Sequence, residues 1–423
     1  MKKINYFQTA RLMALACVTA SLGLGALQPS SAQLEDAQEI PNIEIEIEVP
    51  LPEITPPDIT TSGAPVNFNQ PVPLDIEQTS NVLDIRGVGD AGMALTYKQP
   101  LNLNQALPGN NGGGFADFGK RLDALDSSGK SYRGDLSFIN WETVVGTRCN
   151  SFRGRPSRSS YAFMSHPDNL VEAYKRGFNL IGLANNHSWD CPSAANGKNG
   201  ALASAQEMQR LTQTIGANWL WHGVGQRKSV AKVTTIMVDE RPVKVAFASL
   251  YMGGACTYIT CVSDRNAILK SLRDANADIR ILAMHSWNSA TQSQLVGVGK
   301  DFIRNYNGDI VFGHGPHVWA PVQIVPKANG KKGVMFESLG NFIHPSLAAR
   351  RKDIIGRVLL DLDTLEIRQI QVIPMQVDAA NASFNGALSP TSVPTRGFSW
   401  TPINNAEWKS SVPGVTGAFY NLR

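Results

Sequence analysis

Side chains able to hold a cation or move a proton fall in short polar runs, each just after an apolar stretch. Residues 82–88 run into Gly89-Asp90, and 135–139 run into Asn140-Trp141-Glu142. Residues 178–184 lead to Asn185-Asn186-His187, with Asp190 following. Residues 279–284 end at His285, and 310–312 end at Gly313-His314-Gly315-Pro316-His317. Carboxylate, carboxamide and imidazole together suit Mn²⁺, Fe or Zn²⁺ better than thiolate-seeking metals or calcium. Two such ions ~4 Å apart activate a water and stabilise both oxygens of an in-line phosphoryl displacement. One histidine at a strand end is ordinarily a hydrogen-bonded structural residue. Five such motifs in phase with five apolar stretches point to a site.

The elements that must position these groups alternate along the chain. Apolar runs predict strands over 82–88, 135–140, 178–184, 243–250, 278–284, 309–313, 333–337 and 355–361. Helical periodicity covers 115–125, 167–176, 201–215, 264–275 and 291–305. Alternation of this kind predicts an α/β fold, sheets covered by helices, with the polar residues sharing the edge formed by the strand C-termini, where ligands bind. The expected domain spans 81–375. Residues 376–423, rich in Asn, Ser, Pro and Gly, read as a loosely structured tail.

With 43% hydrophobic and 17% charged residues, the chain is globular rather than disordered. Residues 1–32 read as a signal peptide, with Lys2, Lys3 and Arg11 before an uncharged apolar run and Ser30-Ser31-Ala32 before a cleavage point. The alternative is an uncleaved anchor; past the signal, no span is expected. This predicts export to a periplasmic or extracellular location. Residues 33–80 form an acidic, Pro-rich segment, expected as a disordered or tethered N-terminal arm; its Ile43-Glu44-Ile45-Glu46-Ile47-Glu48-Val49 alternation is stopped by Pro50 and Pro52. From residue 85 onward there are 36 basic against 24 acidic side chains, an excess that suits an anionic partner. Four cysteines follow the signal, and an even number in an exported chain favours disulfides. The favoured pairs are Cys256–Cys261, closing a short loop, and Cys149–Cys191, joining loops after two motif strands. Trp141, Trp189, Trp287 and Trp319 each lie within two residues of a proposed site residue, so some could wall a cleft; packing beneath the loops is the other reading. His166, His222 and His344 have no motif context and read as structural or surface residues.

Gly89-Asp90, Asn140-Trp141-Glu142, Ala184-Asn185-Asn186-His187-Ser188-Trp189-Asp190, Gly313-His314-Gly315-Pro316-His317 and Ser338-Leu339-Gly340-Asn341-Phe342 resemble, in order and spacing, the CapA family of poly-γ-glutamate capsule synthesis proteins. The resemblance implies a two-sheet α/β sandwich of the calcineurin-like metallophosphatase type and two divalent ions (Mn, Fe or Zn). By the same resemblance Asp90 and His317 would hold one ion, and Asn186, His285 and His314 the other, with Glu142 near or between them. His187 would serve catalysis as proton or hydrogen-bond donor, and Asp190 and Asn140 would orient the inner residues. The chain departs from phosphatases of this fold in three places: Gly92 stands two residues after the first Asp where a histidine is usual, His314 and His317 are three apart rather than two, and His285-Ser286-Trp287-Asn288 replaces His-Trp-Gly with a following Glu.

Three functions are compatible with these features. One is a capsule-type factor acting on an anionic polymer alongside capsule-synthesis machinery. A second is an exported metal-dependent phosphoesterase with another substrate. The third is a non-catalytic, polymer-binding scaffold. No nucleic-acid partner is expected.

Overall fold

The structure is a computed structural model that describes residues 81–92, 117–147, 149–151, 153, 162–194, 197–254, 256–344, 351–378, 381–384, 388–403 and 415–422. All belong to one compact unit, Gly63–Arg423. The expected signal peptide and acidic arm lie outside the described residues.

In chain order the main elements are β1 (Val82–Ala91), α1 (Asp117–Asp126), β2 (Leu136–Trp141), α2 (Pro167–Lys175), β3 (Leu180–Gly182), α3 (Gly200–Thr214), β4 (Leu220–His222), β5 (Lys232–Val238), β6 (Arg241–Tyr251), α4 (Arg265–Asp274), β7 (Ile279–His285), α5 (Ser289–Asn305), β8 (Ile310–His314), β9 (Val322–Pro326), β10 (Lys332–Phe336), β11 (Arg351–Asp361), β12 (Ile367–Asp378) and β13 (Ala418–Asn421). They build two sheets. The first follows the order β13-β12-β11-β1-β2-β3-β4, and the second the order β9-β10-β8-β7-β6-β5. The strands β1 to β4 are mutually parallel, as are β6, β7, β8 and β10. Parallel strands need helical crossovers that cover their outer faces, and strands buried on both faces read as continuous apolar runs. That is the pattern of β7 and β8.

Three apolar layers hold the sandwich together. Ile85 and Phe138 of the first sheet meet Phe247, Phe312 and Phe336 of the second in the inter-sheet core. There the Phe138 and Phe312 rings stack at 5.0 Å. Phe118, Leu122, Leu170 and Met208 seal α1, α2 and α3 onto the outer face of the first sheet. Leu269, Leu272, Leu295 and Phe302 do the same for α4 and α5 on the second. The result is a two-sheet α/β sandwich with helices on both outer faces. Among the described residues, no helix is long and apolar enough to cross a membrane.

Each expected strand and helix has a counterpart, most with ends within two or three residues of those the pattern predicts. The expected tail is different. The boundary at 375 falls inside β12, and β13 pairs antiparallel with β12. Val393, Trp400, Ala418 and Leu422 are buried in the inter-sheet core. These apolar residues are scattered singly among Asn, Ser, Pro and Gly, so no periodicity exposes them, yet each fills a place at the sheet edge. The cysteines pair as Cys149–Cys191 and Cys256–Cys261, with Cα atoms 5.7 and 5.9 Å apart.

Candidate metal centre

These polar residues come from two sheets rather than one. Strands β1 and β2 place Asp90 opposite Asn140, and β7 and β8 place His285 opposite His314. The C-terminal ends of both parallel sets open at the same end of the sandwich, and a direct bond joins them: the Gly315 N–H donates to Asp90 Oδ2 at 2.9 Å. Only glycine serves at 315. Its φ is +109°, and a Cβ there would lie 1.7 Å from the Ser286 carbonyl oxygen. The segment after β10 closes the third side, since Asp90 N–H donates to Gly340 O and Phe342 N–H donates to Asp90 O.

Asp90 is fully buried and faces three imidazoles. His285 Nδ1 and His314 Nδ1 lie 3.5 and 3.2 Å from its Oδ1, and His317 Nδ1 lies 3.4 Å from its Oδ2. Asn140 Nδ2 donates to Oδ1 at 2.8 Å. Burial pushes this carboxyl up, but the bonds from His285, His314 and His317 outweigh it and hold Asp90 well below the usual carboxylate range. Glu142, also fully buried, faces three imidazoles of its own. His285 Nε2 and His187 Nε2 are 3.5 and 3.9 Å from Oε1, and His344 Nε2 is 3.4 Å from Oε2. Here burial and the nearby charges of Asp90 and Asp190 drive the carboxyl well above its ordinary value. Desolvation likewise holds His285 down at about 4, so its ring is neutral at pH 7.

His187 Nδ1 sits 2.5 Å from Asp190 Oδ2, which fixes the ring and directs Nε2 towards Glu142. The His187 ring rests on Phe163, centroid to centroid 4.5 Å. Asn186 stands slightly apart. It lines an open cleft of about 420 Å³ with His285, Trp287, Gln292 and His317. Its Oδ1 is buried and takes no hydrogen bond among the described residues.

Two sets of side chains can hold a cation: Asp90, His285 and His314, and Asp90, Glu142 and His317, the ligand atoms of each set lying within 4.8 Å of one another. The donors present fit such ions. Both Glu142 oxygens and His314 Nε2 are buried without a hydrogen-bond partner among the described residues, a cost that bound cations would remove. Oxygen and neutral imidazole donors together suit Mn, Fe or Zn.

Pattern reading missed three contributors. Asn185 donates to the Trp141 carbonyl at 2.9 Å and its Oδ1 accepts from His187 N–H at 3.1 Å, so it shapes the loop that carries Asn186 and His187. Asn341 Oδ1 contacts His317 Nδ1 at 2.6 Å. His344, read from sequence as structural or surface, is fully buried beside Glu142. The first two stood inside quoted motifs; His344 had no signal. His222 and His166 do have structural places: His222 bonds the Ser249 and Val230 backbones, and His166 caps α2. Of the four tryptophans only Trp287 lines this cleft. Trp141 packs edge-on to Phe118 in the core, Trp319 packs on the inter-sheet core, and Trp189 borders a separate hollow of about 230 Å³ with Tyr258 and Cys256.

Comparison with known proteins places the chain in context. The model of the family described as bacterial capsule synthesis protein PGA_cap matches residues 88–346, more than half of the chain. A relative described as capsule biosynthesis protein CapA, from Bacillus anthracis, is 25% identical over 227 residues. That match takes in 49% of this chain and 52% of the relative, so the chain spans about half the relative's length. Among solved structures, one described as a novel phosphatase from Mycoplasma pneumoniae has a TM-score of 0.41 and 12% identity, covering 71% of this chain and 95% of that one. A hypothetical protein from Thermus thermophilus also gives 0.41 at 12% identity, covering 70% and 99%. A purple acid phosphatase from yellow lupin gives 0.32 at 11% identity, covering 72% and 53%.

Proposed function

The chain belongs to the bacterial capsule synthesis PGA_cap family, and from that premise we propose that it is an exported factor of poly-γ-glutamate or related polymer biosynthesis with a metal-dependent, phosphoesterase-like hydrolase site. The observation that carries the hydrolase reading is the pair of fully buried carboxylates, Asp90 and Glu142, each faced by three imidazoles, of which His285 and His317 line an open cleft. Asp90, Glu142, Asn186, His285, His314 and His317 would hold two divalent ions. Such ions supply an activated water and neutralise charge on the attacked group.

The protein's own groups do the rest. Asp190 holds the His187 ring so that Nε2 faces inward, where it gives a proton to the departing oxygen. Asn140 and the Gly315 N–H fix the two oxygens of Asp90 in place. Trp287, Asn288, Ser289 and Gln292 line the outer cleft with hydrogen-bonding, uncharged groups that do not repel an anionic chain. The basic surplus of the body favours the approach of such a chain. Two disulfides and the N-terminal apolar run support export.

The test is a hydrolysis screen of metal-loaded protein against phosphomonoesters, phosphodiesters and poly-γ-glutamate, beside Asp90→Ala and His187→Ala. Turnover by the wild type that both substitutions abolish is expected. Equal rates in all three proteins would dismiss the hydrolase and leave a polymer-binding role.

A further inference from the structure

His344 follows the last backbone contact between the segment after β10 and the end of β1. Asp90 and Asn341 form a parallel bridge, Phe342 N–H donates to Asp90 O, and Gly92 N–H donates to Ile343 O at 2.8 Å. This pairing carries residue 344 to the level of Gly92 and Glu142 and drives its ring inward. The ring is fully buried. Its Nε2 lies 3.4 Å from Glu142 Oε2, and its centroid is 6.0 Å from that of His317. The edge of Phe163 meets the ring at a centroid distance of 5.2 Å and limits its movement. Position 92 itself cannot supply a side chain. Its φ is +151°, and a Cβ there would lie 2.6 Å from Thr143 Cγ2.

From this placement we propose that His344 is a further metal ligand, reaching the ion that Asp90, Glu142 and His317 would hold from the Glu142 side and adding a second imidazole there. The inference deepens the metal-centre reading and rests on it. Two donor atoms bound at about 2.1 Å to one ion lie roughly 3–3.5 Å apart at tetrahedral or octahedral angles, which matches the separation of Nε2 and Glu142 Oε2. With His344 the set holds two carboxylates and two imidazoles, a donor count typical of a closed N/O site. A purely structural histidine at this depth would be expected to turn both ring nitrogens to backbone carbonyls, as His222 does. The His344 ring also bonds backbone, at Glu142, but its Nε2 lies against a carboxylate whose oxygens take no hydrogen bond among the described residues.

The test is metal binding by the full chain, using manganese or zinc alone as the probe. Calorimetric titration and elemental analysis would compare the wild type, His344→Ala, His344→Gln and the capping variant His166→Ala. Loss of a ligand predicts one class of site weakened at least ~10-fold in both His344 variants and unchanged in His166→Ala. If the His344 variants do not fold, wild-type protein labelled with ¹⁵N-histidine and loaded with ¹¹³Cd decides instead, with scalar coupling to the His344 ring expected. Wild-type affinity and stoichiometry in folded His344→Ala, or no coupling at His344 while His317 is coupled, would overturn the assignment and leave the metal centre standing. A wild type that takes up no metal would instead overturn the metal-centre reading itself.

Discussion

Strand β1 carries two aspartates, Asp84 partly exposed and Asp90 fully buried, and their surroundings could hardly differ more. Asp84, near its start, is neutralised by two guanidinium groups. Arg86 Nη2 lies 2.7 Å from Oδ2, and Arg357 reaches Oδ1 and Oδ2 at 2.9 and 3.0 Å. Burial pushes Asp84 up, but the charges of Arg357 and Arg86 outweigh it and hold the carboxyl at about 2. Asp90, six residues on, has no Lys or Arg among its described contacts, only imidazoles, an amide and a backbone N–H. A permanent cation fixes Asp84 as part of the framework. Asp90 has no such fixed counter-charge beside it, which leaves room for an exchangeable cation. Burial alone does not separate a structural carboxylate from a functional one; the identity of its partners does.

That contrast can be broken by substitution at either end. Asp90→Ala is expected to lower metal affinity at least ~100-fold and hydrolysis by about 10³-fold or more, and to cost the metal-free fold about 1–3 kcal/mol for the bonds lost to Asn140 and Gly315. Metal titration and a thermal scan check both. Asp84→Asn should do the opposite, costing about 3–5 kcal/mol by leaving Arg86 and Arg357 buried without their counter-charge, while a titration shows wild-type metal affinity. His187→Ala is expected to lose about 10²-fold in rate with full metal content, because it removes a proton donor and no ligand.

The pH dependence of stability sharpens the comparison. Asp84 has a folded pKa of about 2, below its ordinary value near 4, so its contribution is complete above about pH 5 and disappears as pH falls through 2. Denaturant melts between pH 5 and pH 2 should show the wild type losing about 2 kcal/mol more than Asp84→Asn. The smallest effect belongs to Trp287, which is 58% exposed at the cleft. Trp287→Ala is expected to raise KM for a polymeric substrate a few-fold, with no measurable change in melting temperature.

Much of this architecture was legible in the chain. Buried parallel strands such as β8 are unbroken apolar runs, and their polar ends mark the rim directly. The same logic fails for β13 and its surroundings, where Trp400, Ala418 and Leu422 enter the core one at a time. It also fails for short β4 and for β5, an edge strand with alternating exposure. At the site, motif spacing led to Asp90, Asn140, Glu142, His187, His285, His314 and His317, which the fold brings into one cluster. Sequence placed them on a single sheet edge. The fold instead uses the ends of two sheets, a fact that depends on the inter-sheet packing of Phe138 on Phe312. His344 was invisible because its position comes from pairing between the end of β1 and a segment distant in the chain, and local pattern carries no trace of that.

The most direct test of the central claim is the metal content of the purified full chain. The protein should be stripped with chelator, reloaded separately with manganese, iron and zinc, and compared with Asp90→Ala. Two tightly held ions per chain with at least one of these metals, lost in the variant, is the predicted result. Substoichiometric, weak binding equal in both proteins would contradict it, and the buried carboxylates would then have to be explained without a cation.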